Sequence, residues 1–249
     1  MNDVMTGRAF LRCDGWDDWR DNPTDQKKGV PAPPLEKPFP PGVQRIDLVA
    51  PQDFAIAPIA LLDAIRRRKS QRAYSAAPLS LAELSFLLWA TQGVKEIVLG
   101  GQATRRTVPS GGARHPFETY LGVQRVETLA PGLYRYLPVE HKLILLSDAS
   151  DMYPCMNQAL RNQGRDCAVV FAWTAIPYRT EWRYAAMSAK LIALDAGHVC
   201  QNLYLACEAI GAGTCAIDAY NQTEMDELLG VDGVDELTVY CATVGKKVQ

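Results

Sequence analysis

The chain has 249 residues, 48% hydrophobic and 22% charged, which is enough to bury one sizeable core or a core with an extended arm and excludes disordered and fibrous classes. A formal net charge of -2 and a pI near 6.0 offer no global field for nucleic acid, so anion binding has to come from local clusters and the expected partner is a small anion. Seven cysteines without a C-x-x-C pair exclude a disulfide framework and a structural zinc site, and they read as buried thiols in a reducing cytoplasm. No apolar leader and no run of eighteen apolar residues occurs, so a soluble cytoplasmic protein is expected, without membrane or nucleic-acid partners.

Residues 1–57 are set apart by proline: half of the 16 prolines precede position 52, in runs such as Pro31-Ala32-Pro33-Pro34 and Pro38-Phe39-Pro40-Pro41. Such a run cannot build a central sheet or a helix interior. Phe10, Leu11, Trp16, Trp19, Phe39 and Ile46 supply anchors, so the segment reads as an extended arm lying on the body or on a second subunit. The body, residues 58–249, opens with Pro58 to Arg68, where Ile59, Leu62 and Ile65 recur at helical spacing.

That helix delivers Ile65 to Tyr74, a stretch with five cationic side chains and a serine. Taken alone, it is a solvated helix end that complements the negative pole of the dipole. Ser80-Leu81-Ala82-Glu83 then fits a capping box, with Leu84, Leu87 and Leu88 as the apolar face of a helix that Gly93 closes.

Lys95 to Pro116 lacks periodicity and ends in Val108-Pro109-Ser110-Gly111-Gly112-Ala113-Arg114-His115-Pro116, whose small residues allow a flat ligand to approach the backbone. Ser110 lacks the G-x-S-x-G elbow of a serine hydrolase. Strands are predicted over 119–126, 132–138 and 142–147, the last two as a hairpin, then a helix near 151–163. Residues 167–176 suit a strand buried on both faces.

Arg183 to Ile210 reads as one helix of about 28 residues, long enough to form the spine of a subunit interface. His198 and Cys200 lack partners at metal-ligand spacing, so no metal is expected. Gly211-Ala212-Gly213-Thr214-Cys215-Ala216 spells a dinucleotide fingerprint, but it follows a helix and opens none, which rejects a Rossmann site. A short helix capped by Thr223 and a strand over 237–244 complete the chain.

Four segments, in this order, together resemble the FMN-dependent nitroreductase superfamily and, within it, the SagB-type (azoline oxidase-like) dehydrogenase branch. Arg68-Lys69-Ser70-Gln71-Arg72-Ala73-Tyr74 is close to R-R-S-x-R-x-[FY], and Pro109 to Pro116 is close to P-S-x-G-x-R-x-P; Asp195-Ala196-Gly197-His198 and Gly211-Ala212-Gly213-Thr214 complete the match. The resemblance implies an α+β fold with a mainly antiparallel central sheet flanked by helices, assembled as a homodimer with FMN at the subunit interface. It also implies an FMN-dependent oxidoreductase that passes hydride between NAD(P)H, or an organic donor, and a small acceptor such as a nitro compound or quinone.

By the same resemblance Arg68, Lys69 and Ser70 contact the phosphate and ribityl chain, and Arg72 reaches N1 and O2 of the flavin ring, where a cation stabilises the reduced anion. Pro109, Ser110, Gly111, Gly112 and Ala113 border the ring, often from the other subunit, while Cys215, Ala216, Ile217 and Asp218 offer backbone N–H donors near N5 and O4. Three departures stand out. Lys246 or Lys247 substitutes by position for a basic pair that relatives carry beyond the final V-G, Lys69 replaces a smaller or aromatic residue, and Arg183-Tyr184 stands where peptide azoline oxidases have Lys-Tyr.

Tyr184 and His115 are the candidate catalytic proton donors. Two other functions stay open at this point: a peptide- or azoline-modifying dehydrogenase of the SagB type, and a non-catalytic flavin-binding module.

Overall fold

A computed structural model describes residues 3–17, 19 and 21–248. The elements are, in chain order, α1 (Asp3–Leu11), β1 (Arg45–Asp47), α2 (Leu61–Arg67), α3 (Leu81–Gln92), β2 (Val94–Val98), β3 (Ala103–Arg106), β4 (Phe117–Val123), β5 (Gly132–Leu137), β6 (Lys142–Ser147), α4 (Met152–Ala159), β7 (Val169–Ala175), α5 (Tyr178–Tyr184), α6 (Ser188–Ala209), β8 (Ala212–Ile217), α7 (Gln222–Leu229) and β9 (Leu237–Lys246). Seven strands form one sheet in the order β1-β6-β5-β4-β7-β9-β8, with every pairing antiparallel.

β7 is the centre, and its alternation explains the layers. Val169, Phe171 and Trp173 point into a cluster with Leu84, Leu87 and Leu88 of α3 and Val199 and Leu203 of α6. Val170 and Ala172 face the other side, against Met156 of α4, Met225 and Leu229 of α7 and Cys241 of β9. Helices on both faces therefore bury a strand that reads as a continuous apolar run. Among the described residues no helix is long and apolar enough to cross a membrane.

Several expectations are met closely. Ser80 and Glu83 form the reciprocal capping box, with Ser80 N donating to Glu83 Oε2 at 2.9 Å and Glu83 N to Ser80 Oγ at 3.2 Å. The Gly211–Ala216 fingerprint runs from a turn at Gly211 into the edge strand β8, with no helix until Gln222.

Other elements differ for identifiable reasons. α2 spans seven residues and buries Ala64, while Leu61, Leu62 and Ile65 remain 65%, 56% and 54% exposed, so the expected apolar face is unpartnered in the protomer. The long helix breaks at Ala185, whose φ of 45° lies outside helical space, leaving α5, a 3-10 turn and a 22-residue α6. The stretch without periodicity holds the hairpin β2–β3, whose first strand is exposed along its middle and so carries no alternation. Asn221 caps α7 in place of Thr223, accepting from Glu224 N. Five cysteines are buried, but Cys13 and Cys155 are exposed.

Residues 24–49 run across the body of their own chain. Arg45–Asp47 pair with β6 as the sheet edge, Lys37 N donates to Glu118 Oε1 at 2.8 Å, and Arg106 Nη2 donates to Leu35 O at 2.9 Å. The arm thus supplies a short edge strand from the proline-free stretch that follows Pro41. Of the expected anchors, Ile46 packs on the core and Phe39 is half-buried, but Phe10 and Leu11 are exposed.

Candidate active site

α2 stops at Arg68, whose N–H still reaches Ala64 O, and the chain then runs extended beside the open edge of β8. Ser70 bridges Thr214 in the parallel sense and Gln71 N donates to Thr214 O at 2.9 Å. Gly213 permits this approach, since a Cβ there would stand 2.6 Å from Gln71 Cβ. Tyr74 locks the end of the segment, donating to Gln71 O at 2.7 Å and meeting Thr243 Oγ1 at 2.7 Å.

Tyr204 of α6 ties the pieces together. Its hydroxyl lies 3.0 Å from Ser70 Oγ and accepts the Ala216 N–H at 2.9 Å, while the Arg68 guanidinium sits over its ring at 5.3 Å. Tyr204 thereby links Arg68 and Ser70 to Ala216 of β8, the strand that also carries Cys215 and Ile217. The Ala216 N–H, expected as a donor to flavin, is already engaged by Tyr204, and Cys215 is buried while Asp218 is exposed. Sequence reasoning missed Tyr204, because a tyrosine inside an apolar helical pattern reads as core.

The cations divide sharply. Among the described residues the side chains of Arg66, Arg67, Lys69 and Arg72 are exposed and take part in none of the hydrogen bonds or ion pairs, and the Arg68 side chain has only its ring contact. Lys246 is instead held by Glu83 and by Ile210 O at 3.0 Å, and Lys247 by Glu208 at 2.7 Å. Lys246 therefore brings no free charge to the cluster, contrary to the expectation that it replaces a C-terminal phosphate clamp.

The second segment, Pro109 to His115, is shaped by Asp195 of α6. Ser110 Oγ donates to Asp195 Oδ2 at 2.6 Å, Gly111 N donates to the same oxygen at 3.1 Å, and His115 N donates to Ser110 Oγ at 2.9 Å. Burial pushes the Asp195 carboxyl above its ordinary value, and the Ser110 and Gly111 bonds oppose that shift. Gly112 turns with a φ of 60°, where a Cβ would lie 2.5 Å from Tyr184 Oη and 2.9 Å from Arg183 Cδ. Ala113 also takes a left-handed φ, while Pro109 is exposed.

His115 is corrected as a proton donor. Its ring is buried with Nε2 3.1 Å from Thr104 O, and burial, reinforced by Arg106, pushes its pKa down to about 3. At neutral pH it is an uncharged imidazole fixed to a carbonyl, with no proton to give as an imidazolium. Tyr184 is placed differently: half-buried at the end of α5, it stands against Gly112 with Trp16 and Trp19 beside its ring.

The two segments hang from different turns of one helix. Tyr204 organises the first and Asp195 the second, nine residues apart on α6, which is about 13 Å along the axis at the helical rise. The residues present nevertheless fit a phosphorylated flat cofactor: unpaired cations beside a serine hydroxyl, and a buried Thr214 Oγ1 without a partner.

A nitroreductase family profile matches residues 65–246. The chain is similar to a protein named a nitroreductase in Methanocaldococcus jannaschii, 31% identical over 195 residues that cover 78% of this chain and 94% of that one. It is also similar to the trifolitoxin-processing protein TfxB of Rhizobium leguminosarum bv. trifolii, 28% identical over 138 residues, 53% of this chain but only 37% of the relative. A crystal structure described as a nitroreductase of Ralstonia eutropha superimposes with a TM-score of 0.66 at 27% identity, covering 88% of this chain and 99% of that one. With the antiparallel sheet, the cationic segment on its β8 edge and these matches in agreement, the chain belongs to the nitroreductase family and is an oxidoreductase.

Proposed function

We propose that the chain binds FMN and transfers hydride between NAD(P)H, or an organic donor, and a small acceptor such as a nitro compound or quinone. The observation that carries this reading is the set of unpaired cations, Arg68, Lys69 and Arg72, gathered with Ser70 on the β8 edge, in a chain whose lysines at 37, 246 and 247 are all paired to carboxylates. FMN supplies the two-electron chemistry that side chains lack. Arg68, Lys69 and Ser70 hold its phosphate and ribityl chain, Arg72 faces the pyrimidine edge, and residues 109–113 and 215–218 border the ring.

The same reading includes a homodimer in the cytoplasm. Leu61, Leu62 and Ile65 of α2 and Leu194 of α6 form exposed apolar surface, which supports association with a second copy. The separation of the two segments along α6 supports a site completed by residues 109–113 of the partner copy. Tyr184 is the remaining candidate proton donor.

A second reading, a peptide- or azoline-modifying dehydrogenase of the SagB type, is favoured by the similarity to the trifolitoxin-processing protein. Arg183-Tyr184 departs from the Lys-Tyr pair of that branch.

Mass measurement of the extracted chromophore, followed by anaerobic mixing with NADH and NADPH, tests the proposal. Bound FMN that bleaches on mixing is the expected outcome. A colourless protein unable to take up FMN overturns it, and FMN reduced by neither nicotinamide shifts the balance to the second reading.

A further inference from the structure

We propose that the cavity between the N-terminal arm, α5 and the start of α6 binds a free amino acid with an aromatic side chain, its carboxylate at Ser188 and its ammonium at Glu181. The site is separate from the proposed flavin site. Tyr178 and Glu181, three residues apart, share one face of α5, and Arg183, which meets Gly112, lies on the opposite one.

Asp25 and Lys28 of the arm line this cavity of about 490 Å³ together with Tyr178, Glu181, Ala185 and Ser188. That volume lies in the range of small-molecule sites. The arm wall is fixed, since Gln26 N donates to Trp182 O at 2.9 Å and Trp182 Nε1 to Val30 O at 2.8 Å. Asp25 is already satisfied, accepting from Lys28 Nζ at 3.1 Å and from Tyr178 Oη at 3.0 Å. Among the described residues the Glu181 carboxylate, in contrast, takes part in no hydrogen bond or ion pair. One side of the cavity therefore carries an uncompensated negative charge.

The other side is the beginning of a 22-residue helix. The 3-10 turn Ala185–Met187 runs directly into α6, and no side chain caps either element. The first N–H groups of such a helix lack intrahelical acceptors and form its positive pole. Ser188 stands at this end, lines the cavity and is only 4% exposed, yet among the described residues its hydroxyl has no hydrogen-bond partner. Buried hydroxyls are ordinarily satisfied, so one left open in a cavity wall points to an acceptor from outside the chain.

The two sides select the ligand between them. A simple anion would meet Glu181 as a like charge, and a simple amine would meet the positive pole of α6. A zwitterion satisfies both, giving its carboxylate to Ser188 and the helix start and its ammonium to Glu181. Tyr178, 41% exposed in the same wall, offers a ring against which an aromatic side chain packs.

The test is calorimetric titration of the full-length protein with L-phenylalanine, with phenethylamine, which lacks the carboxylate, and with 3-phenylpropionate, which lacks the ammonium. L-Phenylalanine should bind, and each of the other two should bind about tenfold more weakly, the scale of one charge-assisted contact. Glu181→Gln should weaken L-phenylalanine and phenethylamine about tenfold and leave 3-phenylpropionate unchanged. Ser188→Ala should weaken L-phenylalanine and 3-phenylpropionate about threefold or more and leave phenethylamine unchanged. Circular dichroism shows that each variant is folded, and the exposed Glu181 keeps the test intact should Ser188→Ala fail to fold. Absence of saturable L-phenylalanine binding overturns the proposal, as do equal affinities for the three compounds or an unchanged L-phenylalanine affinity in either folded variant. A protein that takes up no FMN but binds in the expected pattern would refute the flavin reading alone.

Discussion

Arginine serves two opposite ends in this molecule. At the sheet end near the arm, Arg179 donates to Glu118 at 2.6 Å, and Lys37 reaches Glu236 at 2.6 Å. Glu236 also accepts from Tyr120 at 2.9 Å and Thr174 at 2.6 Å, while Arg135 donates to Lys37 O at 3.0 Å. On the β8 edge Lys69 and Arg72 stand exposed, and among the described residues neither forms an ion pair. Buried charge has to be paired, because desolvation is otherwise uncompensated, and a paired charge is unavailable to a ligand. Exposed, unpaired charge adds little to folding and is free to meet an anion. The first cluster holds the arm to the body, and the second is what a phosphate needs.

The largest test of this contrast is Arg179→Ala. It removes the charge partner of buried Glu118, leaving that carboxylate the Lys37 N–H, and should cost about 3–5 kcal/mol, read as a lower urea midpoint. A loss near zero would mean that the buried network is not what fastens this end of the sheet.

His115 extends the buried side of the comparison, since Arg106 is among the causes of its lowered pKa. Its folded value of about 3 lies below the ordinary 6.5, so the folded state binds fewer protons than the unfolded chain in that window. Stability contributed by the neutral ring is complete above pH 6.5 and lost as pH falls towards 3, by up to about 1.4 kcal/mol per pH unit. His115→Asn, which also tolerates the left-handed φ of 45° here, should lose less over the same window in melts recorded against pH. Parallel curves for the two proteins would show that the ring is not held neutral.

The smallest effect on folding and the clearest on function belongs to the exposed cluster. Arg72→Ala should leave the urea midpoint within about 0.5 kcal/mol and weaken FMN binding by about tenfold, the scale of one charge-assisted contact. Arg66→Ala, outside the matching motif, should change neither. Equal losses of FMN affinity from both would erase the division between ligand-holding and solvated arginines.

Much of the fold was legible. The run 167–176 announced a strand buried on both faces, and the Ser80–Glu83 spacing announced a helix start, because a strand's alternation and a cap's hydrogen bonds are local. α2 differs from its pattern for the complementary reason: periodicity shows that one face is apolar, not that the same chain covers it. Nothing local in the 183–210 pattern forbade one continuous helix, yet Ala185 breaks it where α5 turns to meet the arm.

The sequence by itself determined the family-like motifs, the strands and helices with strong local signals, such as the strand over 167–176 and the helix opened by Ser80, and the presence of a cationic segment beside a serine, since these depend on residue type and spacing along the chain. Only the tertiary structure decided which cations are free. Lys246 and Arg72 look alike in sequence, but Glu83 pairs with one, while among the described residues the other forms no ion pair. It likewise decided that Tyr204 gathers Ser70 and Ala216, that Asp195 shapes the Ser110 loop, and that His115 is neutral, because pairing and desolvation are set by residues far apart in the chain.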